Sequence, residues 1–488
     1  MKKEAFILVL ALMAMISGGY AQSAGDTVSQ YYYRLATSKT AEDRELLSGK
    51  LYGLLQSDKE KDWLMAWQYF FVMKKKIVAD SIEGVIKTKF PGGEYWRGKD
   101  VGMVYDTKGA VAKEAAYHTW MSKYPPGKFS GSMIAYDYAS NDVARAFAKE
   151  KNVRKALEYA DMVKTPAWQG EGWAGVGLDL EKNGFIDEAT GLYKKAMNSS
   201  YQFKTTRLTE EGAAFAAHGY RGYCNLYAGG LLQQKKYDSA LVYIQKAYAD
   251  RKEPDPSING RYAKILMALG RDQEAYDKAD EIVKTGLADK DLKDIHRSLY
   301  SKMHPGGKGY DAYMDEMQRE ITKNVIANLK NTMMDQSSPA WVLKDINGNT
   351  VSSESLKGKT VVLDFWATWC GPCKASFPAM QIAVNKYKDD PDVKFLFIHT
   401  WEKGEGDATT AVKKFIDENH YSFRVLMDLK DAETGSNKVV EAFGIQGIPS
   451  KFVMDKQGKI RFRMTGFSGG NEAAVDELSA MIELVKKS

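Results

Sequence analysis

The chain has 488 residues, of which 44% are hydrophobic and 27% are charged, and this composition excludes a disordered or fibrous protein. A chain of this length does not fold around a single hydrophobic core, so two or three domains are expected. The net charge of +6 comes from 69 basic and 63 acidic residues that are interleaved without a basic block, which argues against a nucleic-acid partner.

The first 21 residues predict an export signal. Lys2 and Lys3 give a positive start, residues 5–16 form an apolar run, and residues 19–21 (Gly-Tyr-Ala) have the small-x-small pattern of a cleavage site. A helix that spans a bilayer needs about 20 apolar residues, so this shorter run predicts a cleaved signal peptide and not an anchor. We therefore expect an exported protein, with the periplasm as its compartment, that is soluble after cleavage near Ala21.

The cysteine content points to redox chemistry. Export permits disulfide bonds, yet the chain has only three cysteines, Cys224, Cys370 and Cys373. An exported protein of this size with one close pair is not held together by disulfides, so we interpret the pair as chemical. Cys224 is expected to be a buried packing residue, and a redox partnership with Cys370 is the alternative.

Residues 22–335 predict a helical region. Within it, helices are expected over 42–56 and 61–82, and internal repeats follow them. Small residues recur in pairs whose members are 12 positions apart, and an apolar residue follows the first member by three positions. The pairs are Ala144 with Ala156, Gly177 with Ala189, Ala228 with Ala240, and Ala263 with Ala275. Small residues let two helices approach closely, so each pair predicts a helix-turn-helix unit, with an insertion near 198–211.

This pattern resembles the tetratricopeptide repeat, most closely over residues 173–196 and 237–247. Stacked helical hairpins leave a concave surface that commonly holds peptides or protein partners. The resemblance therefore implies that the helical region binds a peptide or protein. The alternative is that these helices form only a scaffold or a dimer surface.

From residue 336 to 488 the pattern changes to alternating strands and helices. The predicted elements are a hairpin over 341–352, a strand 360–366, a helix 370–388, a strand 393–399, a helix 409–419, a strand 423–427, a helix 436–443, a hairpin of strands 451–454 and 460–464, and a helix 472–485. This order predicts an α/β domain. The whole chain is thus expected to be multidomain, with a signal peptide (1–21), a helical repeat region (22–335) and an α/β domain (336–488).

Cys370 and Cys373 follow a predicted strand and open a predicted helix. Unpaired backbone N–H groups and the helix dipole favour a thiolate at the helix start, and Lys374 adds a cation. We predict Cys370 as the nucleophile and Cys373, deeper in the helix, as the resolving thiol. Zinc sites share this spacing, but the sequence has no second pair of ligands, so no metal is expected. Asp364 lies on the preceding strand, where a buried carboxylate is costly unless it has partners or a function, and the alternative is a partly solvated position.

The segment 338–488 resembles the thioredoxin-fold domains of the exported TlpA/ResA class of thiol-disulfide oxidoreductases, within the AhpC/TSA-like part of the thioredoxin superfamily. The resemblance rests on the Trp-Cys-Gly-Pro-Cys motif at 369–373 together with Ile448-Pro449, whose proline lies 76 residues after Cys373. It implies a thioredoxin fold for this last third of the chain. It also implies a protein-disulfide reductase without a bound cofactor, in which the Cys370–Cys373 disulfide is the redox-active group.

The resemblance carries residue roles with it. Asp364 matches the aspartate that accepts a proton from the second thiol in thioredoxin, and Pro449 is expected to follow a cis peptide bond. The residues implied to contact the client are Trp369, Gly371, Pro372, Ile448 and Pro449. The chain departs from the class at Ser376, where a glutamate is usual, and we expect Asp364 to supply the acid function.

The implied partners are protein disulfide clients and a membrane thiol reductase that supplies electrons. Two other functions remain open at this point. One is an interaction protein whose helices capture a partner while the Cys370–Cys373 pair serves as a regulatory latch. The other is a disulfide isomerase or oxidant, which would have a reduction potential above about −200 mV.

Overall fold

A computed structural model describes residues 28–38, 40–129, 133–249, 251–306, 309–402, 406–431, 435–466 and 470–487. The predicted signal peptide at 1–21 lies outside these residues. The chain divides into two compact units, Met1–Lys252 and Glu253–Ser488. In the second unit, helices precede a sheet that begins at Gln336. The domain boundary predicted between residues 335 and 336 stays a prediction.

The described part of the first unit is α-helical. Its helices are α1 (Val28–Thr37), α2 (Ala41–Leu54), α3 (Glu60–Val72), α4 (Lys76–Lys89), α5 (Glu94–Asp100), α6 (Gly102–Asp106), α7 (Ala110–Lys123), α8 (Ile134–Lys149), α9 (Val153–Ala160), α10 (Pro166–Lys182), α11 (Ile186–Thr205), α12 (Ala213–His218), α13 (Tyr220–Gln233) and α14 (Tyr237–Ala249). The helical character predicted for this region is confirmed. The insertion expected near 198–211 corresponds to the end of the 20-residue helix α11 and the connection to α12.

The small residues of the predicted repeat units lie on consecutive helices and are buried. In this unit they occupy α8 and α9, α10 and α11, and α13 and α14. A Cβ atom added to Gly177 would lie 2.6 Å from the ring of Tyr193, so the glycine allows α11 to pack directly against α10. Cys224 is buried on α13, as predicted. The assignment of these hairpins to the tetratricopeptide class stays a prediction.

The single helix predicted over residues 61–82 is wrong, because α3 ends at Val72 and α4 begins at Lys76. Lys74 has a left-handed φ of 61°, and the N–H of Lys75 donates to the carbonyl of Phe70 over 2.9 Å. This geometry closes a helix at its C-terminus. The connection contains neither glycine nor proline, so the hydrophobic period continues across it and conceals the break.

The second unit contains helices followed by an α/β layer. Its described elements are α15 (Pro256–Ala268), α16 (Asp272–Val283), α17 (Lys290–Met303), α18 (Tyr310–Thr332), β1 (Gln336–Ser337), β2 (Val342–Asp345), β3 (Thr350–Ser352), β4 (Thr360–Trp366), α19 (Gly371–Lys386), β5 (Val393–His399), α20 (Ala408–Glu418), β6 (Val425–Met427), α21 (Lys438–Ala442), β7 (Ser450–Met454), β8 (Lys459–Thr465) and α22 (Gly470–Lys486). The predicted α/β fold is confirmed, and β1 is an additional strand.

The strands form one mixed sheet in the order β1-β8-β7-β4-β5-β6-β2-β3. Strand β4 is central, parallel to β5 and antiparallel to β7, and all seven of its residues are buried. Alternate residues of β4 face opposite layers. Val362 and Trp366 belong to the same buried cluster as Phe377 of α19, whereas Leu363 and Phe365 pack with residues of α21. The sheet is thus covered on both faces, and α19 begins at the end of its central strand.

Candidate active site

Cys370 and Cys373 form a disulfide whose Cα atoms are 5.3 Å apart, at the point where the loop after β4 enters α19. Cys370 is the N-cap residue of α19, and its Sγ accepts the backbone N–H of Cys373 at 3.2 Å. Cys370 is 3% exposed and Cys373 is fully buried. An N–H donor and the helix N-terminus both favour negative charge on the Cys370 sulfur. The arrangement therefore favours a thiolate at Cys370 over one at Cys373, which is buried deeper.

The residues between the cysteines are at the surface. Gly371 and Pro372 are exposed in the first turn of α19. A proline is tolerated there because the first N–H groups of a helix have no partner within the helix. Lys374, the predicted neighbouring cation, is also exposed. Pro378 lies inside α19, which continues past it to Lys386.

The Ile448–Pro449 segment, more than 70 residues away in sequence, lies beside the disulfide. Its peptide bond is cis, as the resemblance implies. The carbonyl oxygen of Ile448 is 3.7 Å from Cys370 Sγ. Trp369 and Ile448 are half-buried and pack against the cluster that contains both cysteines, while Pro449 is buried. The structure therefore brings the predicted client-contact residues together around Cys370.

The loop before Cys370 is attached to the segment that follows β5. Trp369 donates its indole N–H to the carbonyl of Trp401 at 2.8 Å. Thr368 donates its hydroxyl to Glu402 Oε2 at 2.8 Å, and Nε2 of the buried His399 lies 2.7 Å from the same oxygen. Sequence reasoning missed Glu402, because it lies outside any periodic element and its partners are 3 and 34 residues away.

Asp364 is 1% exposed in the middle of β4, which excludes a solvated strand position. Its cross-strand partner on β7 is Lys451, whose Nζ lies 3.2 Å from Oδ1 and 3.1 Å from Oδ2. Burial raises the pKa of Asp364, and the charge of Lys451 opposes that rise without cancelling it. Asp364 alternates with Val362 and Trp366, so its side chain lies on the α19 face of the sheet.

Lys451 also reaches the helix that carries the cysteines. Its Nζ lies 3.3 Å from the hydroxyl oxygen of the buried Ser376, and Ser376 donates that hydroxyl to the carbonyl of Cys373 at 2.8 Å. Sequence reasoning did not single out Lys451. The sequence did contain a signal for it. Lys451 starts a predicted strand, its next three residues are apolar, and a buried charge in such a strand requires a partner.

The described residues show neither a metal-binding cluster nor a membrane-spanning helix. They contain no group of three or more histidine, cysteine, aspartate or glutamate side chains placed to hold a metal ion. None of the helices in the described ranges combines the length and apolar character that crossing a bilayer requires.

Comparison with known proteins places residues 333–481 in the Redoxin family model. ResA thiol-disulfide oxidoreductases from Bacillus thuringiensis (strain Al Hakam) and Bacillus subtilis (strain 168) are each 31% identical to the chain over 146 residues. These matches cover 30% of this chain and 78% and 75% of the respective relatives. The solved thioredoxin domain of a thiol-disulfide oxidoreductase from Bacteroides vulgatus is 26% identical, covering 31% of this chain and 95% of that one, with a TM-score of 0.25.

Proposed function

This chain belongs to the family of ResA-like thiol-disulfide oxidoreductases, and we propose that it is an exported enzyme that reduces disulfide bonds in client proteins. The observation that carries the proposal is the placement of Cys370 at the N-cap of α19, with its sulfur accepting the N–H of Cys373. A thiolate there is stabilised before any client arrives. The disulfide with the buried Cys373 is the product state of the proposed cycle.

In the reduced enzyme, the Cys370 thiolate attacks one sulfur of a client disulfide. The client S–S bond breaks, one client sulfur leaves as a thiolate, and a mixed disulfide joins Cys370 to the other client sulfur. Cys373 then loses its proton and attacks Cys370 Sγ, which expels the second client sulfur and forms the Cys370–Cys373 disulfide. Two electrons thus pass from the enzyme dithiol to the client. A dithiol partner, proposed to be a membrane thiol reductase, must return them.

Asp364 is the proposed acceptor of the Cys373 proton. It is a buried carboxylate on the face of the sheet that α19 covers, and burial raises its pKa above the ordinary value, so it takes up a proton more readily than an exposed aspartate. Ser376, which donates to the Cys373 carbonyl, has no acidic proton to exchange in this range. We therefore assign the proton transfer to Asp364 and not to the position three residues after Cys373.

The client is proposed to bind along the surface around Cys370. Gly371 and Pro372 are exposed next to Cys370 in sequence, and the carbonyl of Ile448, which precedes Pro449, lies 3.7 Å from the Cys370 sulfur. The half-buried Trp369 supplies an apolar wall. Backbone groups and apolar contacts in this surface suit an extended polypeptide more than a small polar molecule.

The remaining parts of the proposal rest on the sequence. The pattern of residues 1–21 supports export to the periplasm, and the helical hairpins of the first unit support a role in holding a peptide or protein. The cycle uses no bound cofactor beyond the cysteine pair and involves no nucleic acid. The Gly-Pro pair between the cysteines supports the reducing direction through the family resemblance.

The direction of electron flow is tested by the reduction potential of the full exported chain in thiol redox buffers. We expect a value well below about −200 mV, together with reduction of insulin disulfides. Cys370→Ser abolishes turnover, and Cys373→Ser accumulates a mixed disulfide with the client on non-reducing gels. Cys224→Ala, at a buried cysteine of the first unit, is the matched control and leaves turnover unchanged. A potential above about −200 mV contradicts the reductase direction, and turnover by Cys370→Ser contradicts the site.

A further inference from the structure

A lysine and an aspartate face each other across two central strands, and both are buried beneath the redox pair. Lys451 is 6% exposed and Asp364 is 1% exposed, and they are paired in the register of β7 with β4. The ammonium group contacts both carboxylate oxygens within 3.2 Å. Lys451 is only two residues from Pro449, so the strand that carries it also forms one border of the proposed client site.

The same ammonium group connects the carboxylate to the cysteine helix. Its distance to the Ser376 hydroxyl is 3.3 Å, and that hydroxyl is bonded to the Cys373 carbonyl. A continuous polar path therefore runs from Asp364 through Lys451 and Ser376 to the first turn of α19. Each member of the path is buried, so bulk water does not screen the charge of the lysine from the carboxylate.

A buried ion pair is weak evidence for a purely stabilising role. Removing two charges from water is costly, and replacing such a pair with apolar residues is often neutral or stabilising. The pair at Asp364 and Lys451 is placed where the proposed reaction moves a proton. A role in that reaction accounts for the pair better than fold stability does.

We propose that Lys451 is a positioning residue that holds Asp364 as a carboxylate, ready to accept the Cys373 proton, and ties it to the turn that carries Cys373. This inference rests on the proposed function of Asp364. When the Cys373 proton passes to Asp364, the ammonium loses its anion and retains the Ser376 hydroxyl. When Asp364 releases the proton again, the ion pair is restored and the enzyme is ready for the next cycle.

Few other titratable groups face this carboxylate in the described part of the chain. From β7 the facing group is Lys451, while on α19 Cys373 belongs to the buried cluster on the same face of the sheet and Lys374 is exposed. Strand β5 places Phe397 opposite Asp364. Helix α22 contributes Leu478, Met481 and Ile482 to the adjoining buried cluster. Among the described residues, Lys451 is therefore the charged side chain that acts on Asp364, and its charge opposes the larger effect of burial.

The test is the pH dependence of client release from the mixed disulfide, measured in single-turnover experiments on the full chain from pH 5 to 9. In Lys451→Met we expect the pH of half-maximal release to rise by about one to three units, because an adjacent opposite charge depresses a carboxylate pKa by that amount. Lys451→Arg retains the charge and gives a midpoint close to that of the wild type. If Lys451→Met does not fold, Lys451→Gln, which is uncharged but keeps a hydrogen-bond donor, takes its place.

Asp364→Asn separates this inference from the proposed function. If Asp364 accepts the proton, this variant releases the client slowly and loses the acidic limb of the wild-type profile. A wild-type profile in Asp364→Asn contradicts the role of Asp364 itself. If Asp364→Asn behaves as expected but the midpoint is unchanged in the uncharged Lys451 variant, only the role of Lys451 is overturned. Equal shifts in the uncharged variant and in Lys451→Arg also overturn it, because they show a packing effect and not one of charge.

Discussion

The second unit buries two carboxylates in contrasting ways, Asp280 among its helices and Asp364 at the centre of its sheet. Asp280 lies on α16 and, among the described residues, has three side-chain partners. Tyr313 of α18 donates to Oδ1, His296 of α17 lies 3.2 Å from the same oxygen, and Lys284 Nζ is 2.5 Å from Oδ2. For Asp364, within the described part of the chain, the partner is the single side chain of Lys451.

The number of hydrogen-bond donors decides whether the pKa of each buried carboxylate is raised or lowered. Burial raises the pKa of Asp280, but hydrogen bonds from His296, Lys284 and Tyr313 outweigh it and lower that pKa to about 2. At Asp364 burial prevails over Lys451 and the pKa is raised. A carboxylate with a full set of donors stays charged and serves the packing of its helices. One with a single cation partner keeps a raised pKa, so it takes up a proton more readily and is better suited to proton transfer.

The largest effect is expected for Asp280→Asn, which removes the charge that three helices share. We expect the unfolding free energy to fall by about 3 kcal/mol, because the buried His296 and the hydroxyl of Tyr313 lose their charged acceptor. The measurement is the urea unfolding midpoint of the oxidised chain. Client release from the mixed disulfide should be unchanged, because Asp280 lies on a helix outside the sheet that carries the redox site.

The matched control is Asp277→Asn, at an exposed carboxylate on the same helix that accepts a hydrogen bond from the exposed side chain of Gln273 at 3.0 Å. We expect that variant to unfold within about 0.5 kcal/mol of the wild type. If both variants lose the same stability, the buried donors around Asp280 do not make it more important for stability than the exposed Asp277. A slower client release in Asp280→Asn would also break the contrast with Asp364.

A smaller loss of stability is expected when the pH is lowered and Asp280 becomes protonated. The folded pKa of Asp280, about 2, lies below its ordinary value of 3.8, so its contribution to stability is fully present above the ordinary value and is lost as the pH falls toward 2. The difference corresponds to about 2 kcal/mol, at 1.36 kcal/mol per pKa unit. Unfolding midpoints of the wild type and Asp280→Asn, compared between pH 5 and 2, should therefore converge as the pH falls. A constant difference would show that the charge of Asp280 is not the stabilising feature.

The sequence was sufficient for the parts of the site that depend on local order. Cys370 starts a helix because of the residues on either side of it, and Asp364 is buried because its neighbours in the strand, residues 361–363 and 365–366, are all apolar. Lys451 could not be assigned in this way. Its contact with Asp364 depends on the register of β7 against β4, between residues 87 positions apart, and no local pattern specifies that register.

Two other features that the sequence did not predict also depend on the three-dimensional arrangement. Glu402 binds the loop before Cys370 only because β5 lies beside β4 and brings its following segment to the same edge. The helix break at Lys74 depends on a left-handed backbone at a lysine, which residue type does not indicate. The fold class followed from periodicity, whereas the polar partners of the site required the three-dimensional arrangement of distant strands.

The smallest expected effect is a change in stability that is zero or a slight gain, whereas the preceding predictions are losses. It concerns the Asp364–Lys451 pair as a whole. Replacing both residues with apolar ones, Asp364→Val with Lys451→Met, removes both buried charges together, so neither is left without its partner. We expect stability to be unchanged or higher by about 1 kcal/mol, since the desolvation cost of the pair disappears. The urea midpoint of the oxidised chain measures this. A loss of about 3 kcal/mol, like that of Asp280→Asn, would show that the sheet pair is structural too. In that case the number of donors would no longer separate a carboxylate that supports the fold from one that takes part in the reaction.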